Sequence, residues 1–341
     1  LMNDRFALCL PREEFDEKRV ADSIKELQRE FSGNSFHLHT YMGVYEIRDR
    51  DEAVSIMVDK ANIAADTIKN NYDCCVAYYD EHLLEISIEQ RRLLGEFEPA
   101  LQKDEFVMYL QPQVNRDGAA KGAEALVRWV HPSRGILTPY AFIDILENAG
   151  LIYKLDLYIW EKAAQKLAEW KEKGYGSYHI SVNISTKDFY IIDIYETFTG
   201  LINKYGIAAS NLHLEITETT LMTDFEKNMN IIHKLQGVGF RVEIDDFGSG
   251  YSSLNMLKDI SADVLKIDMG FLRKSENEVK GQDILESIIA LAGKIGMDVI
   301  TEGVETKKQL DMLTMMGCHE FQGYYFSKPV PVSEFEEKYL V

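Results

Sequence analysis

Cysteine is scarce: Cys9, Cys74, Cys75 and Cys318 are the four among 341 residues. None has the spacing of a paired metal ligand, and Cys74 and Cys75 are chain neighbours, which rarely bridge each other. A disulfide framework and a cysteine zinc site are excluded, and a reducing, cytosolic compartment is expected. Long apolar runs are missing too. No segment approaches membrane-spanning length and no signal peptide opens the chain. Basic charge is short: 37 Lys and Arg face 56 Asp and Glu, for a net charge of -19. Such a surface repels DNA, RNA and anionic lipid, so neither nucleic acid nor membrane is an expected partner. An anionic substrate would need local compensation, and a bound metal cation is its natural source. Only seven prolines occur, and charged residues make up 27%, which speaks against extended disorder.

What is present is a core. Apolar residues make up 46% of the chain, and the length fits two domains, or one large barrel plus an extra piece. The sequence enters strand-like residues directly at Leu1, as a fragment of a longer protein would. Residues 1–80 form one block of alternating strands and helices. "DRFALCLP" reads as a strand and "VADSIKELQREF" as a helix with Val20, Ile24 and Leu27 on one face. "FHLHTYMGVYEI" reads as a strand, "DEAVSIMVDKANIAADTIKNN" as a helix, and "CCVAYYDE" as a strand. Residues 81–97 begin an amphipathic helix that is either a linker or the first helix of the next domain.

Residues 98–341 repeat one pattern: a short apolar strand, polar residues at its end, then in most cases a helix. The strands read "FVMYLQP", "GAEALVRW", "YHISVNIS", "LHLEITE", "RVEIDD", "VLKID", "DVITEG" and "EFQGYYFS". This alternation predicts an α/β fold, a (β/α)8 barrel of TIM type, with an open doubly wound sheet as the alternative.

In such a barrel the C-terminal strand ends carry the chemistry. They carry Glu124, Asn183, Glu215 and Glu218, Asp245 and Asp246, Lys266 and Asp268, Glu302 and Glu305, and Gln322. One acid after a strand is usually a helix cap or a solvated residue. Strands that together deliver such groups to one end need compensation. The ligand set is all oxygen, with no histidine or cysteine at these ends, which favours Mg2+ or Mn2+ over zinc. Adjacent Asp245 and Asp246 suit a pair of ions about 4 Å apart, a spacing used in phosphoester hydrolysis. The glycine-rich run from Gly248 supplies a loop beside them. Lys266 is the one cation of the set. It either stabilises charge on a phosphate and orients a water, or abstracts a proton as in enolase-like barrels.

The residues "EALVRW", "HP", "TPYAFIDILENAGLI", "SVNIS", "LEITE", "DDFGSGYSSL", "LKID", "EGVE" and "QGYYFSKP" resemble, in order and spacing, the EAL-domain cyclic di-GMP phosphodiesterases. The resemblance runs from about Glu98 to the C-terminus. It implies a modified TIM barrel that hydrolyses 3′,5′-cyclic di-GMP to linear pGpG, with two Mg2+ or Mn2+ ions. By the same resemblance Glu124, Asn183, Glu215 and Asp245 hold one metal, and Asp245, Asp246 and Glu302 help hold the second. Lys266 contacts the nucleophilic water and Glu302 is the candidate general base. Glu218 anchors the loop after Asp246, which in the family couples dimerisation to metal binding, so a homodimer is implied. Gln111, Leu126, Arg128, Asp268, Glu305 and Gln322 line or support the substrate site. The alternative within the family is a catalytically silent cyclic di-GMP receptor.

Residues 1–80 resemble more weakly the second half of a GGDEF domain. Met2, Asn3, Asp4, Arg5 and Phe6 stand where that motif belongs, and Arg5 replaces an acid that cyclase chemistry needs. A regulatory or structural role is expected of this block. His131 reads as a turn residue, and Tyr324, Tyr325 and Phe326 as strand packing.

Overall fold

The computed structural model describes residues 5–31, 40–69, 74–247, 260–268, 270 and 278–340. The chain divides into two compact units, Leu1–Glu96 and Phe97–Val341. In the first, helix α1 (Glu17–Phe31), strand β1 (Met42–Val44), helix α2 (Val54–Asp66) and strand β2 (Val76–Tyr78) follow in order. The strands β1 and β2 pair in parallel, with Met42 opposite Val76. Residues 5–10 are not the expected strand. They have no regular structure, and Phe6 and Leu8 are 90% and 77% exposed. No described strand pairs with them. The helix expected from residue 81 runs unbroken as α3 (Glu81–Gln102) and contributes buried Phe97 and Ala100 to the second unit.

The second unit is a closed eight-stranded α/β barrel. Its ring consists of β3 (Phe106–Val114), β4 (Ala120–His131), β6 (His179–Ile184), β7 (Leu212–Thr217), β8 (Val242–Phe247), β9 (Val264–Asp268), β10 (Asp298–Glu302) and β11 (Glu320–Phe321). Two short strands, β5 (Gly135–Leu137) and β12 (Val330–Pro331), extend β4 and β3 outside the ring.

The first barrel strand departs from simple β-α alternation. No helix separates β3 from β4; a turn at residues 115–119 does, tied by Asn115 Oδ1 accepting from the Asp117 and Ala119 amides at 2.9 and 3.0 Å. So short a link forces an antiparallel pair. β3 therefore runs against both its neighbours, while the remaining ring contacts are parallel.

The last strand is also shorter than "EFQGYYFS" suggested. It ends at Phe321, and the chain turns at Gly323, where an added Cβ would lie 2.2 Å from the Val304 carbonyl oxygen. Tyr324 and Tyr325 consequently stand on a turn, 59% and 41% exposed, rather than packing as strand residues.

Helices pack on the outside of the ring. One of them, α4 (Ile152–Glu172), buries Leu155, Ile159, Ala163, Leu167 and Trp170 at helical spacing. The inside is different. Alternate strand residues place Gln113, Glu124, Ser181, His213, Glu215, Glu243 and Lys266 in the interior, all buried. Branched apolar side chains usually fill such a barrel. A polar interior of this size calls for a function. Among the described residues no helix is long and apolar enough to cross a membrane.

Candidate active site

Lys266 Nζ is the centre of the interior. It lies 2.7 Å from Glu302 Oε1 and 2.8 Å from Glu215 Oε2. Asp245 Oδ1 and Glu124 Oε2 stand at 3.4 and 3.6 Å. Five different strands supply these groups. Glu124 is held from both sides: Asn183 Nδ2 donates to its Oε1 at 3.1 Å, and Gln322 Nε2 to its Oε2 at 2.5 Å. The donation orients the Asn183 amide. Gln322 Nε2 also donates to Gln111 Oε1 at 3.3 Å, which ties β3 to the site.

The Asp-Asp pair rests on a β-bulge. Ile244 pairs with Leu265 and Phe247 with Ile267, so Asp245 and Asp246 together oppose Lys266 alone. In a regular strand two neighbours point to opposite faces. The extra residue and the left-handed backbone of Asp246, at φ 56°, re-aim it. Aspartate tolerates this conformation better than most residues, and such outliers gather at functional sites.

The charges do not balance. Glu124, Glu215, Asp245, Asp246 and Glu302 face the single ammonium of Lys266. Burial, then the Glu124 charge, drives the Glu215 carboxyl well above the usual carboxylate range. Burial likewise pushes Glu302 up to about 8, against the pull of Lys266. Asp246 is raised by burial and by Asp245 and Asp268. Burial opposes the Lys266 charge, but Asp245, Glu124, Glu215 and Glu302 outweigh it and hold its pKa well above the usual lysine value. Among the described residues, both oxygens of Glu215, Asp245 Oδ1 and Glu302 Oε1 are buried without a hydrogen-bond donor in proper geometry. Oxygen-only ligands with surplus negative charge and orphaned carboxylate oxygens fit hard divalent cations. Cations placed there reverse the upward carboxyl shifts.

The other expected residues are distributed around this centre. Arg128, on β4, has its guanidinium 5.4 Å from the Tyr109 ring and donates to the Val127 carbonyl at 2.8 Å. Leu126 is half-buried opposite Tyr109 on β3. Gln111 Nε2 donates to the Ser327 carbonyl at 3.3 Å. Asp268 ends β9 and accepts from the Gly270 amide. Glu305 is exposed, and its amide donates to Gln309 Oε1 at 2.9 Å. Glu218 opens helix α5 (Glu218–Thr223). The loop it is expected to anchor, residues 248–259, and the motif positions Met2 to Asp4 lie outside the described residues. His131 ends β4, and its Nδ1 accepts from the Ser133 amide at 3.3 Å.

A second polar cluster at the N-terminal strand ends escaped the sequence reading. His179 and His213 stack with ring centroids 3.8 Å apart and planes 4° from parallel. His213 Nδ1 lies 2.6 Å from Glu243 Oε1, and His179 Nε2 lies 2.7 Å from Gln113 Oε1. The ligand atoms of His179, His213 and Glu243 all lie within 4.8 Å of one another. A cation on imidazole sits in the ring plane, and parallel stacked rings share no such point. His179 cannot turn freely, because its ring lies over Gly122, where an added Cβ would be 2.4 Å away. The signal was present: "HISVN", "LHLE" and "VEID" carry polar residues two apart, the period of an inward face.

Burial and the His213 charge push the His179 pKa down to about 3, from 6.5 for an ordinary histidine. Between these values the unfolded chain takes up the proton and the folded chain does not, so stability falls as pH falls. Going from pH 7 to 5 should cost about 2 kcal/mol through this residue, seen as a lower urea midpoint. His179→Gln should remove that part of the slope; an unchanged slope in the variant would refute the assignment.

Comparison with known proteins gives a consistent set. The family model described as "EAL domain" matches residues 95–329. The bifunctional diguanylate cyclase/cyclic di-GMP phosphodiesterase MucR of Pseudomonas aeruginosa is 32% identical over 272 residues, 80% of this chain and 39% of that protein. The cyclic di-GMP phosphodiesterase PdeR of Escherichia coli is 33% identical over 240 residues, 70% of this chain and 36% of that one. The chain thus spans less than half the length of these relatives. A solved structure described as the PaMucR phosphodiesterase in complex with c-di-GMP superposes with a TM-score of 0.68 at 33% identity, over 72% of this chain and 99% of that one.

Proposed function

Since the chain belongs to the EAL domain family, we propose that residues 97–341 hydrolyse cyclic di-GMP to linear pGpG with two divalent cations, Mg2+ or Mn2+. The observation that carries this reading is the convergence of Glu124, Asn183, Glu215, Asp245 and Glu302 around Lys266, with surplus negative charge and orphaned carboxylate oxygens. Glu124, Asn183, Glu215 and Asp245 would hold one cation, and Asp245, Asp246 and Glu302 the other. The cations would supply charge stabilisation at the phosphoryl oxygens and acidify water.

The chain's own groups do the rest. Water adds to phosphorus and the bond to the 3′ oxygen breaks, leaving a 5′ phosphate and a 3′ hydroxyl. Glu302 takes the proton of the attacking water, and a proton passes to the 3′ oxygen as it departs. Lys266 stays charged and donates towards the water or the phosphoryl oxygens. Arg128 offers a guanidinium to the second phosphate. Gln322 and Gln111 keep Glu124 aimed by the hydrogen bonds described above. The block before residue 97 carries Arg5 where cyclase chemistry needs an acid, so we assign it a regulatory or structural role.

The test is chromatography of cyclic di-GMP incubated with the chain in Mg2+ or Mn2+, and again with a chelator. Formation of pGpG that the chelator stops is the expected result. Tight binding of intact cyclic di-GMP without product would make the chain a receptor instead.

A further inference from the structure

Directly beneath the ligand set stands a carboxylate that the proposed reaction does not use. Glu243 lies two residues before Asp245 on β8, hence on the same inward face. It is paired in register with Glu215 on β7, and both are 0% exposed. Its Oε1 faces His213 Nδ1 at 2.6 Å and accepts from Ser181 Oγ at 3.2 Å. The other His213 nitrogen, Nε2, faces the Ser210 carbonyl at 3.2 Å, so both ring nitrogens meet acceptors. The Glu243 carboxylate is level with Glu215, and His213, two residues earlier on β7, lies one layer lower. Among the described residues Glu243 Oε2 has no hydrogen-bond partner.

We propose that Glu243 is a positioning residue for the metal site: its buried charge, anchored by His213 and Ser181, tightens the hold of Glu215 and Asp245 on divalent cations. The inference rests on the metal-dependent reading above. The argument is Coulombic. A fixed charge one strand spacing from a ligand acts through a dry interior, where solvent screens little. Nothing in this role requires Glu243 to touch the substrate or the cation.

The experiment is direct binding of Mn2+ to the whole chain, read from the electron paramagnetic resonance of free Mn2+, with no turnover involved. Glu243→Gln keeps the shape and both hydrogen-bond acceptances. It should weaken Mn2+ binding about tenfold while kcat at saturating Mn2+ stays within about twofold. Ser181→Ala loses one hydrogen bond but keeps the charge, and should bind Mn2+ within about twofold of the parent. The double variant His213→Gln, Glu243→Gln leaves no unpaired charge. It should weaken Mn2+ binding as the single variant does, and it keeps the test open if that variant does not fold. Parent-like Mn2+ affinity in the folded variants, with only a lowered unfolding temperature, would make Glu243 structural and overturn the proposal. Failure of the parent itself to bind Mn2+ would overturn the metal reading and the inference with it.

Discussion

Asp245→Ala should abolish pGpG formation, with a loss of at least about 10³-fold, or about 4 kcal/mol of transition-state stabilisation. Asp245 is the group that the proposed arrangement can least spare. It is the only residue assigned to both cations, and the bulge at Asp245 and Asp246 exists to bring two carboxylates against one lysine. Its removal should leave the fold intact, because Lys266 keeps Glu215, Glu302 and Glu124 as partners. Circular dichroism and a melting curve like the parent's would establish that. The variant should still bind cyclic di-GMP through groups such as Arg128. Turnover within tenfold of the parent would rule out the metal assignment.

The second large effect concerns stability and points in a less obvious direction. Lys266 is 1% exposed and faces four carboxylates. Lys266→Met fills a similar volume but leaves those carboxylates uncompensated. Breaking a buried charge network by removing one partner costs about 3–5 kcal/mol. That loss is expected in a chelator, as a lower denaturant midpoint. Added Mn2+ should restore much of it, because a cation that binds only the folded state stabilises it by mass action. The parent, which carries its own ammonium, should gain less from Mn2+ than the variant does. Turnover should fall by about 10²-fold or more even in saturating Mn2+, since a charged donor is lost. Equal stabilisation of parent and variant by Mn2+ would contradict the idea that lysine and dication share one electrostatic task.

Much of this molecule can be read from residue types and spacing. "LEITE", "RVEIDD" and "LKID" are short apolar strands ending in charge, and eight such strands with intervening helices lead to a barrel. The all-oxygen ligand types select hard cations without any coordinates. Sequence reasoning failed where pairing partners decide. Residues 5–10 look like a strand, yet no described strand accepts them. "EFQGYYFS" has strand composition, but the close approach of Gly323 to Val304 ends the strand early.

The amino-acid sequence by itself determined the α/β class, the candidate ligands and their chemistry, because side-chain type and local periodicity are properties of the chain alone. Tertiary structure decided the rest. The antiparallel course of β3 depends on a link too short for a crossover. The joint aim of Asp245 and Asp246 depends on how β8 is paired with β9. The central place of Lys266, and Glu243 held beside Glu215 by His213 and Ser181, depend on strands as far apart in sequence as those of Val114 and Phe321 closing into one ring. Distances across that ring are set by register and burial, and no stretch of sequence contains them.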